Sequence, residues 1–126
     1  MVRNMDLIRL ILLEIEKSES IIKPIDLCIE EYSNDEITYQ IMLLHEAGLI
    51  EAVNLSHLTA VCWKPQRLTW EGHEYLNIIR DDMIWNRTKK EIVDNGLPMD
   101  TEIIKQISSS LVRETVYKVI KSIRHY

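Results

Sequence analysis

The side chains best able to do chemistry in this chain are four histidines and two cysteines, and their spacing assigns them no reaction. Structural and catalytic zinc sites need His, Cys, Asp or Glu at short, repeated intervals. His45, His57, His73 and His125 stand apart, and Cys28 and Cys62 form no metal-ligand pair. His73 lies between Glu71 and Glu74 in WEGHE, but a His-x-x-x-His pair on one helix face is absent. A phosphate cradle needs a glycine-rich loop, and the three glycines each fall beside a helix end. No Gly-x-Ser-x-Gly elbow occurs, and neither cysteine has a histidine near it in sequence. The chain is therefore expected to be no enzyme and to hold no metal and no cofactor.

What remains is chemistry of contact. Tyr39, Met42 and Leu43 are apolar residues that a helical wheel turns outward, between the acids Asp35, Glu36 and Glu46. Such a surface meets protein more readily than DNA. Lys64, Gln66 and Arg67 are the residue types that touch phosphates or a minor groove. Trp63, Trp70 and Trp85 are of a type enriched at binding hot spots. With no Phe in the chain, they are also needed for packing.

These residues need elements to position them. Residues 6–18 read as a helix, with Ile8, Ile11, Leu12 and Ile15 on one stripe and Leu10 and Leu13 opposite, which suggests packing on two sides. A short helix is expected at 25–31 behind Pro24. A third is expected at 35–47, with Asn34 as cap, Ile37, Ile41 and Leu44 inward, and Gly48 as the stop. The period then changes. LIEAVNL (49–55) and LTAVCWK (58–64) read as a hairpin ending at Pro65. Thr69 caps a long helix over 70–93, whose row Gly72, Leu76, Ile79, Met83 admits the close approach of a neighbouring helix at Gly72. Residues 95–98 are the clearest break. Asp100 caps a last helical stretch, kinked or split at 108–110, with a stripe of Val112, Val116, Val119, Ile120 and Ile123.

The expected class is mainly α with a small β-hairpin, an α+β winged helix-turn-helix with additional C-terminal helices. A helix ending in LLHEAGLIEA (43–52) and running into a wing strand that returns as RLTWEG (67–72) is the most specific local sign. The third helix is then the candidate recognition helix and the hairpin the wing. Residues 1–95 are expected to form the winged-helix-like domain, and 96–126 an extension packed on it or on a second subunit.

NMDLIRLILLEIE (4–16), LLHEAGLIEA (43–52) and RLTWEGHEYLNIIRDDMIWN (67–86) resemble the domain-of-unknown-function family 2513. The resemblance covers roughly residues 1–108. It implies a winged-helix-like domain of bacterial, phage or mobile-element origin. It assigns no activity, ligand or functional residue.

At 126 residues the chain can bury a core without staples. Its net charge of −5 counts against coating nucleic acid. Residues 1–102 carry most of the acid, while the last 24 carry Lys105, Arg113, Lys118, Lys121 and Arg124 against Glu114 alone. Lys89 and Lys90 are read as complementing a helix C-terminus. The scarcity of Gly and Pro excludes collagen, linkers and disorder. No apolar stretch reaches a membrane span and the first apolar run is broken by charges, so a cytoplasmic protein with reduced thiols is expected. The partners left open are double-stranded DNA, a protein, and a second copy through the C-terminal helices. The leading reading is a DNA-binding transcriptional regulator of phage or mobile-element origin, touching DNA through Lys64, Gln66 and Arg67. The alternative is a protein-interaction module that meets its partner through Tyr39, Met42 and Leu43.

Overall fold

Asn4 opens the first helix by accepting the Leu7 N–H through its side chain. In the computed structural model, which describes residues 1–124, the chain runs α1 (Met5–Glu16), α2 (Asn34–Glu46), β1 (Ile50–Asn54), β2 (Trp63–Leu68), α3 (Trp70–Ile79), α4 (Asp82–Asp94), α5 (Thr101–Ile123). The fold is α+β, with one two-stranded antiparallel sheet among the described residues. Contacts divide it into two compact units, Met1–Leu76 and the residues from Asn77 on.

The core of the first unit draws on α1 (Leu7, Ile8, Ile11, Leu12, Ile15), α2 (Ile37, Ile41, Leu44), Ile50, Leu68, Tyr75 and Leu76, all buried. On α1 the second apolar side is weaker than its sequence suggests: Leu13 is half-buried and Leu10 exposed. Buried Gln40 ties the N-terminus to α2, accepting the Asn4 N–H at 2.9 Å and donating to the Val2 carbonyl at 3.0 Å. The α2 cap is Ser33 rather than Asn34, and Ser33 and Glu36 form a reciprocal capping box.

No helix forms at 25–31. Ile25, Leu27 and Ile29 are half-buried, while Asp26, Cys28 and Glu30 between them are exposed. That alternation has the period of a strand. The Ile25 N–H donates to the Pro65 carbonyl at 2.8 Å, so the segment runs beside β2. Seven residues give too little helix to offset nucleation, and tertiary contact wins.

The hairpin pairs Ile50 with Leu68, Glu51 with Arg67, Ala52 with Pro65 and Asn54 with Trp63. A bulge between Glu51 and Ala52 leaves Gln66 unpaired in the ladder. The second strand therefore starts at Trp63 and continues through Pro65, later than its sequence suggests. Residues 55–62 form the connecting loop, closed by Leu55 N–H to the Cys62 carbonyl at 2.7 Å.

One junction joins the end of α2 to the start of α3. Gly48 takes φ +74°, the left-handed stop that favours glycine. The Thr69 hydroxyl donates to the Gly48 carbonyl at 2.6 Å and accepts the Gly72 N–H at 3.1 Å. Gly72 lies so close to the chain at Leu49 that an added Cβ would overlap the Leu49 carbonyl oxygen. The close neighbour is thus a strand entrance, not another helix.

The stretch 70–93 is two helices. Asp81 leaves helical geometry and caps α4 by accepting the Ile84 N–H at 3.0 Å. Leu76 and Ile79 are buried as expected, but the break rotates Met83 out of their row and leaves it 76% exposed.

The second unit contains the α4–α5 hairpin. Trp85, Thr88 and Ile92 of α4 and Ile104, Ser108 and Leu111 of α5 are its buried residues. Asp100 caps α5 by accepting the N–H groups of Glu102 and Ile103. The helix runs unbroken through 108–110. Ser108 directs its hydroxyl to Thr88 at 2.8 Å, in a buried pair, instead of competing for its own backbone.

Candidate interaction surface

The capped N-terminus of α2 fixes which of its residues look out. With Ile37, Ile41 and Leu44 buried, Tyr39, Met42 and Leu43 lie half-buried on the remaining surface, and Asp35 and Glu46 are exposed. Tyr39 and Met42, with Asp35, form one wall of an open depression of about 520 Å³. Thr59, Ala60 and Val61 of the hairpin loop form the other. Leu43 is not among its lining residues. The loop adds apolar surface beside it: Val61 is 66% exposed, and Leu58 is fully exposed. No Lys or Arg lies on α2. Met1 and Thr38 also line the depression, and Asp35 is its one acid.

The three polar residues of β2 already have partners within the first unit. Lys64 pairs with Asp26 at 2.5 Å, and that hydrogen bond and the aspartate charge hold its ammonium above the usual lysine range. Gln66 donates to the Ile22 carbonyl at 3.3 Å. Arg67 donates to the Leu68 carbonyl at 3.2 Å and stands 3.9 Å from Glu51 across the sheet. A phosphate arriving here would have to displace two carboxylates. Beside the Lys64–Asp26 pair lies a smaller cavity of about 280 Å³, with Asp35 and Cys62 in its lining.

The aromatics separate into different roles. Trp85 is buried in the second unit, with the Lys89 ammonium 5.7 Å from its ring centre. Lys89 is thus a cation on an aromatic face as well as a residue near a helix end. Trp63 packs on His45 at 5.3 Å between ring centres, and the His45 Nδ1 is buried without a hydrogen-bond partner. Trp70 is 76% exposed at the start of α3.

The cations Arg113, Lys118 and Lys121 are exposed on α5 and Arg124 at its C-cap, and Lys118 pairs with Glu114 at 3.4 Å. Both cysteines are free thiols. Among the described residues no cluster of three His, Cys, Asp or Glu could hold a metal ion. No described helix is long and apolar enough to cross a membrane. His125 lies outside the described residues.

The sequence singled out Tyr39 and Met42 but not the loop residues Thr59, Ala60 and Val61 that complete the depression with them. It also gave no sign of Asp26 as the partner of Lys64, because their proximity depends on the extended path of 25–31.

Residues 2–98 match the family described as Hypothetical protein (DUF2513). The chain is also 36% identical over 115 residues to an uncharacterised protein of Haemophilus influenzae, covering 90% of this chain and 98% of that one. No solved structure matches.

Proposed function

This chain belongs to the DUF2513 family, and from that premise we propose that its first unit is a protein-docking module and that the α2–loop depression is its docking site. The observation that carries this reading is the pairing of Tyr39 and Met42 with Val61 in a concave, half-apolar surface rimmed by Asp35. An apolar anchor fills the depression, and a Lys or Arg beside it meets the Asp35 carboxylate. The partner chemistry is therefore an apolar side chain flanked by cations. The same carboxylate repels a phosphate backbone, and Lys64 and Arg67 are engaged with Asp26 and Glu51.

Selection of a random peptide library against the full chain tests this. Enriched peptides carry an apolar anchor next to Lys or Arg, and lose binding to the Tyr39→Ala variant. Enrichment of acidic peptides, or binding indifferent to Tyr39, contradicts the proposal.

A second reading, a DNA-binding transcriptional regulator of mobile-element origin, draws on the helix–hairpin–helix order and on the exposed α5 cations. In that reading DNA meets α5 rather than α2. Loss of DNA binding in Lys121→Ala, with Lys64→Ala unaffected, would support it.

A further inference from the structure

Helix α5 carries two rows that matter, and the α4–α5 hairpin uses one. Ile104, Ser108 and Leu111 are buried with the α4 residues Trp85, Thr88 and Ile92. Continued in the same steps of three and four, that row reads Thr115, Lys118, Ser122, which is polar and exposed. The apolar residues move to the neighbouring row, about 100° around the helix. There Val112 is half-buried, and Val116, Val119 and Ile123 are 49%, 53% and 66% exposed.

The change of row coincides with a change in burial. At 23 residues against 13, α5 outruns α4, and every described residue beyond Val112 is exposed. Ten further residues extend a helix by about 15 Å. A helix end of that length is marginal in water by itself and gains stability when its apolar row is covered.

The spacing and the charges indicate what covers it. Steps of four, three and four from Val112 to Ile123 are those of a helix–helix seam, and β-branched residues fill all four of its places. The places flanking the seam hold Thr115, Ile120 and Ser122, with Arg113 the one charge among them. Glu114, Lys118, Lys121 and Arg124 all fall on the outer side of the wheel. A strongly basic helix would repel an identical neighbour if its cations lined the contact. Here they are turned away, and the contact strip is almost uncharged. A foreign acidic partner would instead find few cations beside the seam to meet.

We infer that the outer half of α5 pairs with the same segment of a second copy of this chain. The seam is short, so the association is reversible.

Sedimentation equilibrium of the full chain tests it. The wild type forms a reversible dimer at concentrations of roughly ten to a few hundred micromolar. Val116→Asp/Ile123→Asp is monomeric over that range, while Lys121→Glu, on the outer side, dimerises like the wild type. Circular dichroism checks that the double variant keeps its helix. Should it lose helix, Val119→Lys probes the same seam with one substitution, and it too is monomeric. A wild type that stays monomeric, a trimer or larger assembly, or a seam variant that keeps its helix and still dimerises overturns the inference.

Discussion

The ammonium of Lys64 lies on the carboxylate of Asp26, which joins β2 to the extended segment behind Pro24. The hydrogen bond to Asp26 comes first, then its charge, in raising the lysine above its ordinary range. A lysine raised on folding contributes stability in full below its unfolded value of about 10.4, and loses it as pH climbs through the folded value. The pair is open to solvent, so the effect is small. Asp26→Asn should lower the melting temperature slightly at neutral pH, and the gap to wild type should close above the lysine range. Melts at a series of pH values check this, and a gap that does not depend on pH would remove the ion pair as its cause.

Gly72 and Leu49 are in contact where no side chain fits. The Leu49 carbonyl is held in place because it also accepts the Thr69 N–H at 3.0 Å. Gly72→Ala must therefore move backbone, at a cost of about 1–3 kcal/mol. Chemical denaturation should show that loss, whereas Gly96→Ala, with open space around its Cβ, pays only for its φ of +64°. Equal stability of Gly72→Ala and wild type would mean that the junction is looser than this contact implies.

The buried Thr88–Ser108 pair can be measured by a double-mutant cycle. Thr88→Val or Ser108→Ala alone leaves one hydroxyl buried without its partner and should cost about 1–3 kcal/mol. The double variant should cost clearly less than the two single losses together. Strict additivity would show that the hydroxyls contribute independently.

Inward and outward residues of α2 should respond differently. Ile41→Ala empties a buried site and should cost about 2–5 kcal/mol. Tyr39→Ala, on a half-buried surface, should cost about 1 kcal/mol or less. Thermal melts of both variants decide this. A loss at Tyr39 as large as that at Ile41 would make it a core residue and empty the docking site of its main wall.

The contrast between these residues also shows what could be read from the sequence. The stripes Ile8–Ile11–Leu12–Ile15 and Ile37–Ile41–Leu44, the Gly48 stop and the Thr69 and Asp100 caps are local signals, and each formed as its spacing implied. Segment 25–31 carried an equally local signal, the alternation Ile25, Leu27, Ile29, but Pro24 ahead of a short apolar run also suits a helix start. The break at Asp81 was harder to see, since the apolar spacing runs on across it and only the cap marks it. The site was legible on one wall. Tyr39 and Met42 follow from a helical wheel, whereas Val61 and Asp26 reach the surface through the loop and the extended segment. Their positions depend on long-range pairing that no local period encodes.

The most direct test of protein docking against DNA reading is a fluorescence-anisotropy titration of the full chain with duplex DNA, random and from beside its own gene, at two salt concentrations. Protein docking through α2 and the hairpin loop predicts no saturable binding of either duplex even at low salt. Tight, selective binding that falls steeply with salt would contradict it, and weakening in Lys64→Ala and Arg67→Ala or in Lys121→Ala would assign the contact to the hairpin or to α5.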